Sequence, residues 1–401
     1  MFESIYNAEL KGKTVFLRAD LNSTIIANRV ALSSRIREHA KTIYFLTEEE
    51  AKTVVFSHQG RPGESSFVDL NRHAKLIQKL IDKPVKFVKW NEDYVNAIKN
   101  MKNGEIILMD NVRFQKEETE KLSPKEHASQ GFVKKLIPLG DYFVQDALSV
   151  CHRNHASVVG FGYALPSFVG PVLQRDLDAL QSIEKIKESK LLVLGGAKVK
   201  DSIEIIEKML SNKKADKVIL GGILGEVFLK AKGINFGAKD KFLEEKKFTE
   251  FIPKAKQVMQ KFDGKIILPI DMGIENNEGK REELPVKKLP SDEMTYDIGW
   301  NSIEEFKKII KKSDLTVFNG PMGMFEKNGF ALGTKKILEC IAFSRTFSII
   351  GGGDTEKALQ MFGLLPNDFN QMSLAGKALL NYLAGETLPG LEIIKKKGKD
   401  K

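Results

Sequence analysis

Apolar residues follow two rhythms along this chain: short unbroken runs, and longer stretches in which they recur at three- and four-residue steps. The runs predict β-strands near 14–18, 53–57, 85–88, 105–109 and 141–145. The stepped stretches predict amphipathic helices near 33–47, 69–81, 91–101 and 123–137. Within 69–81, DLNRHAKLIQKLI, the spacing is that of a helix with one face turned to a core. Strands alternating with helices predict a parallel sheet covered on both faces.

The pattern then restarts. Strands are predicted near 190–194, 216–220, 265–269, 314–318 and 346–350, with helices near 200–211, 224–232, 302–312, 334–343 and 355–362. Between the two series lie a run with glycine and proline, 157–173, and a helical stretch near 174–188. The expected fold class is therefore α/β: two similar domains, each a parallel sheet with helices on both faces, joined by a connecting helix and hinge. The polar, proline-punctuated stretch 275–293 reads as an exposed connection, and the terminal KKKGKDK as a solvated tail.

A length of 401 residues accommodates two such domains, each with its own core. Composition adds little beyond the class of an ordinary soluble protein, but charge does more. The net charge is +10, built on many lysines and only 11 arginines, nine of them at or before position 175. Arginine offers a planar fork of donors for phosphate or carboxylate that lysine cannot imitate. Two well-separated cysteines, Cys151 and Cys340, suggest a free, reduced pair. The start, MFESIYNAELKGK, lacks a basic-then-apolar signal pattern, and the longest charge-free run, Ser157 to Leu173, is too short and broken to span a bilayer. A soluble, cytoplasmic protein is expected.

Ligands of open α/β sheets bind at the carboxyl ends of the strands, and there the two halves differ in chemistry. The first half carries Arg18 and Asp20 (LRAD), His58 and Arg61 (SHQGR), Arg113 (DNVR), and Asp146, His152 and Arg153 (DALSVCHR). Guanidinium groups gathered at one sheet edge repel one another unless an anion lies between them. Asp20 and Asn22 could orient substrate hydroxyls or simply form a turn. The second half carries glycine: Gly195 and Gly196, Gly221 and Gly222, Gly320 and Gly323, then Gly351, Gly352 and Gly353 before Asp354. No GxxxxGK[ST] or strand-following GxGxxG occurs. GGGDTEKALQ nonetheless sets backbone N–H groups at a helix start, an anion site, where Asp354 either ligates phosphate-bound Mg2+ or caps the helix. Lys198, after a strand and two glycines, could reach a phosphate or be one solvated lysine among many.

Together these motifs resemble the phosphoglycerate kinase family, in its archaeal form, from about residue 12 to about 390. The strings that carry the resemblance are FLRADLN, SSRIREHAKTI, SHQGRPG, DNVRF, QDALSVCHRNHAS, LGGAKVKDSI, NGPMGMFE, GGGDT and LAGETLPG. The resemblance implies a substrate site for 3-phosphoglycerate or 1,3-bisphosphoglycerate made of Asp20, Asn22, Arg35, His58, Arg61, Arg113 and Arg153. It implies a site for ADP or ATP made of Gly195, Gly196, Lys198, Gly221, Gly222, Asn319, Pro321, Glu326, Gly352, Gly353, Asp354 and Thr355. Arg35 and Lys198 would act on the phosphoryl group in flight, and Asp354 would bind Mg2+. The implied domains are 1–167 with about 380–401 for phosphoglycerate, and 168–379 for the nucleotide, closing to join their ligands. A monomer or homodimer binding neither nucleic acid nor membrane is expected.

Some positions depart from the family pattern. A second lysine common after GGAK is Ser202 here, and the usual glycine-rich Ser-Thr-Gly-Gly-Gly-Ala reads Ser373-Leu374-Ala375-Gly376-Lys377-Ala378. Lys200 or Lys377 is the expected substitute for the missing lysine. Two other classes fit the composition. A basic nucleic-acid binder with a vestigial kinase fold would interleave basic patches with exposed aromatics along a groove, whereas these arginines sit singly at strand ends. A two-domain ligase-like enzyme would use another acyl phosphate.

Overall fold

The computed structural model describes residues 2–26, 29–186 and 188–395. Beyond Lys395 the expected solvated tail lies outside the described residues. The chain divides into two compact units, 1–178 with 387–401, and 179–386. The resemblance implies divisions at 167/168 and about 379/380; the first boundary of the units falls instead within the helix Pro171–Lys185.

The first unit contains strands β1 (Thr14–Arg18), the short pair β2 (Ile25–Ile26) and β3 (Arg29–Val30), β4 (Lys52–Phe56), β5 (Val85–Val88), β6 (Ile106–Met109), β7 (Tyr142–Gln145) and β8 (Ser167–Val169). Six of them form a parallel sheet in the order β5-β6-β4-β1-β7-β8, with Leu17 in register with Val55 on one side and Val144 on the other. Helices α1 (Ser34–Glu48), α2 (Asn71–Ile81), α3 (Tyr94–Lys99), α4 (Pro124–Ala128), α5 (Gly131–Leu136), α6 (Phe161–Ala164) and α7 (Pro171–Lys185) accompany it.

Alternation along β1 sorts the core. Val15 and Leu17 pack with Val55, Leu108 and the buried stripe Ile36, Ala40, Ile43 of α1, and with Ala74 and Ile77 of α2. Phe16 instead meets Phe56 and Phe161, which also stacks on Phe132 and Phe143. Each such side chain contributes roughly 1.5–3 kcal/mol by leaving water. This double burial keeps the sheet rigid, so the loops at its carboxyl edge start from fixed points.

Local chemistry redraws some predicted helices. Ser123 and Glu126 form a reciprocal cap that starts α4, but the expected 123–137 helix breaks before Gly131, whose φ is +58°. The 91–101 helix shrinks to α3, capped by Asp93, which accepts from the Asn96 N–H at 3.0 Å. The charge-free run 157–173 is no simple break: it holds α6, β8 and the start of α7.

The second unit contains β9 (Lys190–Leu194), β10 (Lys217–Leu220), β11 (Ile266–Ile267), β12 (Asp271–Glu275), β13 (Arg281–Pro285), β14 (Thr295–Ile298), β15 (Leu315–Asn319), β16 (Phe347–Gly351) and β17 (Gln371–Ser373). A parallel sheet runs β11-β10-β9-β15-β16-β17. Its helices are α8 (Val199–Ser211), α9 (Gly222–Ala231), α10 (Ala238–Glu245), α11 (Ile252–Lys261), α12 (Trp300–Ile310), α13 (Leu332–Ala342), α14 (Gly353–Phe362) and α15 (Lys377–Leu383). The chain then returns to the first unit as α16 (Pro389–Glu392), where the Gly390 N–H donates to the Cys151 carbonyl at 2.9 Å.

The stretch 275–293 is not simply an exposed connection. Strands β13-β12-β14 form a separate antiparallel sheet, so the second unit is more than a parallel sheet with helices. Ion pairs brace it beside the buried Met272, Ile274 and Ile298. Arg281 pairs with Asp297 at 2.7 Å and Glu283 at 2.8 Å, and donates to the Ile298 carbonyl at 2.8 Å. Both cysteines are buried and free. No helix among the described residues is long and apolar enough to cross a membrane.

Candidate active site

Strands β6, β4, β1 and β7 are adjacent in the first sheet, so the loops after them share its carboxyl edge. Side chains tie these loops together. The Asn111 amide donates to the Gln59 and Val68 carbonyls at 2.8 and 2.9 Å. The Gly60 N–H donates to Asn22 Oδ1 at 2.9 Å, and the Leu21 N–H to the Ser57 hydroxyl at 2.9 Å. Arg113 donates to the Gly60 carbonyl. Gln59 fixes Ser23 from both sides, accepting from its N–H and donating to its carbonyl at 2.9 Å each. Sequence reasoning missed Gln59, although it stands inside the HQGR string.

On this frame the basic groups crowd together. Burial and the nearby Arg153 and Arg18 push Arg113 down to about 10. Arg153 is lowered too, by burial first and Arg18 next, and its buried Nη1 has no hydrogen-bond partner among the described residues. Burial, with Arg18, Arg113 and Arg153 close by, holds His58 well below its ordinary value against the pull of Asp20. Arg61 lies at the exposed rim. Mutual repulsion plus an unpaired buried N–H is the signature of an anion site, because a phosphate would relieve both.

Arg18 plays another part than the strand-end pattern suggests. It ends the central strand and is 1% exposed. Its Nε donates to the Ser157 hydroxyl at 2.9 Å, Nη1 bonds the Ala19 and Phe56 carbonyls, and buried Glu118 provides the counter-charge. Nη2 lies 3.4 Å from His58 Nδ1. A guanidinium only donates, so His58 accepts there and carries its proton on Nε2. Arg18 thus belongs to the wall of the site and sets the His58 tautomer.

Arg35 reaches the site from the first turn of α1. Ser33 caps that helix by accepting from the Ile36 N–H. Arg35 Nε pairs with Asp20 at 3.3 Å and Nη1 donates to the Asn22 carbonyl at 3.2 Å. Asp20 also accepts from the Ser149 hydroxyl at 2.6 Å and the Asn22 N–H at 3.1 Å. Burial alone would raise its carboxyl, yet Arg35 and the Ser149 hydroxyl hold it well below its usual range. Asp20 is therefore an anion whose main visible work is to fix Arg35. Asp146, at the end of β7, points elsewhere: it accepts from His39 and Thr42 of α1 and from the Val172 and Leu173 N–H groups of α7.

His73 on α2 supports Gln59 from below, with Nε2 lying 3.2 Å from Gln59 Oε1. Burial pushes this histidine down to about 4. Between pH 6.5 and about 4 the unfolded chain therefore binds a proton that the native one does not, so stability falls as pH falls through that window. The loss should reach about 3 kcal/mol at its lower end. Urea unfolding at pH 7 and pH 4.5 checks this: His73→Gln keeps the donor, cannot titrate, and should remove about that much of the difference, leaving the share that the likewise depressed His58 contributes.

In the second unit the glycine loops pack on one another before they offer anything to a ligand. A Cβ on Gly195 would stand 2.0 Å from the Pro321 carbonyl oxygen. The Gly196 N–H donates to that same oxygen at 2.8 Å, and the Gly222 N–H to the Met322 carbonyl at 2.7 Å. Gly195, Gly221 and Gly222 thus let the loops after β9, β10 and β15 interlock. Asn319 ends β15, beside Gly352.

The start of α14 is more open. Gly352 precedes it with φ +102°, a conformation that favours glycine, and a Cβ on Gly353 would meet nothing within 4 Å. Asp354 does not cap the helix; it is half-exposed, and Lys357 stands 3.5 Å away. The Thr355 hydroxyl is turned inward, donating to the Gly351 carbonyl at 2.8 Å, so only its backbone is available to phosphate. Lys198 and Lys200 are exposed at the start of α8, with Ser202 one turn on. The Lys377 side chain lies outside what is described.

A cavity of about 330 Å3 opens between these loops and the antiparallel sheet. Gly196, Gly222, Pro321, Glu326 and Asp354 of the expected nucleotide set line it. So do Glu226, Lys239, Phe242, Met272, Tyr296 and Asp297, none of which sequence reasoning found. They come from α9, α10 and strands β12 and β14 on either side of the stretch read as a connection, and no motif links them. Among the described residues no three His, Cys, Asp or Glu side chains gather as a metal cage. Asp354, a single carboxylate at an open helix N-terminus, fits Mg2+ of the kind that is held mainly by substrate phosphates and water.

The geometry agrees with kinship found by comparison. The family model described as phosphoglycerate kinase matches residues 5–386. A phosphoglycerate kinase of Archaeoglobus fulgidus is 40% identical over 388 residues, covering 96% of this chain and 94% of its own. That of Methanopyrus kandleri is 37% identical, covering 98% of each chain. The crystal structure of phosphoglycerate kinase from Pyrococcus horikoshii superposes with TM-score 0.91 at 33% identity, covering 98% of both chains.

Proposed function

The chain belongs to the phosphoglycerate kinase family, and from that premise we propose how its own residues perform the family's reaction. That reaction is reversible phosphoryl transfer between 1,3-bisphosphoglycerate and ADP, giving 3-phosphoglycerate and ATP, a step of glycolysis and gluconeogenesis. The first unit holds the phosphoglycerate and the second the nucleotide. The observation that carries this reading is the buried Nη1 of Arg153, without a partner among the described residues, set among cations that depress one another's proton affinity. Neutral His58 adds a directed N–H donor there without further charge, and Arg113 and Arg61 complete the anion site. Asp20 and Asn22 hold the loop and orient Arg35.

Transfer needs no covalent enzyme intermediate. The residues position the reactants and neutralise developing charge. Arg35 serves the phosphoryl group from the first unit, and Lys198 serves nucleotide phosphate from the second. The α14 N-terminus, through the N–H groups of Gly353, Asp354 and Thr355, receives phosphate oxygens. Gly196, Gly222, Pro321 and Glu326 border the nucleoside, while Gly195, Gly221 and Asn319 shape the loops behind them. Asp354, together with the nucleotide phosphates, holds Mg2+, which neutralises phosphate oxygens when bound. The enzyme is proposed to be cytoplasmic.

A coupled assay for ATP formation from 1,3-bisphosphoglycerate and MgADP tests the reading; absence of turnover would sink it. In the same assay Asp354→Asn is expected to raise the Mg2+ concentration for half-maximal rate by about tenfold and to lower kcat/KM for MgADP by about 10²-fold. Affinity for 3-phosphoglycerate, measured by calorimetry, should not change.

A further inference from the structure

The cavity in the second unit carries a buried ion pair for which phosphoryl transfer has no use. Glu226 lies one turn into α9 and is 3% exposed; Lys239, on α10, is 4% exposed. Glu226 Oε1 accepts from the Thr295 hydroxyl at 2.6 Å and faces Lys239 Nζ at 3.3 Å. Its other oxygen, Oε2, is buried with no hydrogen-bond partner among the described residues. Lys239 also donates to the Thr295 carbonyl at 2.7 Å and lies over the rings of Phe242 and Tyr296. Burial pushes the Glu226 carboxyl up, with Asp240 adding to it, while Lys239 and Thr295 pull it back.

A leucine or methionine would fill this volume without stranding an acceptor. A carboxylate with one oxygen doubly bonded and the other unpaired is instead suited to a ligand that brings its own donor. The surroundings say what kind of ligand. Phe242, Tyr296, Met272 and Met294 line the same cavity, whose volume of about 330 Å3 and aromatic and thioether walls suit a heterocyclic base. Lys239 directs its N–H bonds at Thr295, Glu226 and the ring faces, so it has little to offer a carbonyl oxygen on that base.

We propose that Glu226 is a specificity-determining residue that reads the nucleobase, its Oε2 accepting a hydrogen bond from the 6-amino group of adenine and disfavouring 6-oxopurines. A 6-oxo group would set acceptor against acceptor in a buried place. This rests on the reading of the cavity as the nucleotide site.

The test compares MgADP with MgIDP, which differ at that edge of the base. The parent enzyme is expected to favour ADP in kcat/KM by at least about tenfold. In Glu226→Gln the two donors at Oε1 fix which way the amide points, so its NH2 occupies the Oε2 position and now donates. The ADP:IDP ratio should fall by at least about tenfold and move toward IDP, with kcat at saturating ADP within about threefold of the parent. The double variant Glu226→Met with Lys239→Met removes both charges and guards against misfolding; its ratio should lie near unity. Calorimetric binding of the two nucleotides should follow the same order. A parent that does not distinguish them, or variants that keep the parent's ratio, would overturn the proposal. A parent inactive with both nucleotides would overturn the kinase reading beneath it.

Discussion

Arg35→Ala is expected to lower kcat by about 10³-fold while MgADP binding, followed by calorimetry, stays within about threefold of the parent. The expectation follows from where the guanidinium is held. Asp20 grips it at Nε and the Asn22 carbonyl at Nη1, so its orientation is set before any phosphate arrives. A preoriented cation stabilises charge that develops in the transition state without a reorganisation cost, and removing it acts on kcat rather than on nucleotide affinity. Arg35→Lys keeps the charge but loses the fork, and should recover no more than about tenfold of the loss. The alanine variant also takes a partner from the buried Asp20, so its thermal midpoint must be measured beside the kinetics. A variant that folds like the parent and turns over at near-parental rate would remove Arg35 from the mechanism.

What could be read from the chain divides by mechanism. Continuous apolar strands announce a parallel sheet because both of its faces are buried, and the residue after such a strand falls at the edge where ligands bind. His58, Arg113 and Arg153 were legible for that reason. Arg18 occupies the same kind of position and was misread. Whether a strand-end cation reaches the site or turns into the core depends on neighbours such as Ser157 and Glu118, distant in sequence. The glycines were half legible. Gly352 and Gly353 open a helix start as expected, while Gly195 serves first to let the Pro321 carbonyl approach. Glu226, Lys239 and Tyr296 were invisible. They meet only because an antiparallel sheet braced by Arg281, Glu283 and Asp297 borders the loops, and the alternation in its strands, Met272 and Ile274 on β12, is too brief to reveal it.

Asp146→Ala should be the costliest change outside the chemistry, because one buried carboxylate answers four donors. His39 Nδ1 stands 3.0 Å from Oδ2 and the Thr42 hydroxyl 2.7 Å from it, while the Val172 and Leu173 N–H groups reach Oδ1 at 2.7 and 3.2 Å. The last two belong to the first turn of α7, where an ionised carboxylate also complements the helix dipole. Alanine strands all four donors in a site that is 0% exposed at Asp146 and 1% at His39. At roughly 1 kcal/mol or more for each unmet donor, the loss should come to about 4 kcal/mol, a large share of the stability of a typical domain. Asparagine separates charge from geometry. Its amide oxygen can still serve the helix N–H groups, the Thr42 hydroxyl can rotate to accept, and His39 can present a bare Nδ1 after a tautomer change. Asp146→Asn should therefore cost only about 1–2 kcal/mol. Urea midpoints for the two variants decide the matter. An alanine variant within about 1 kcal/mol of the parent would mean that water enters and satisfies the four donors. The carboxylate would then not be what binds the helix bearing Arg35 to the start of the connecting helix.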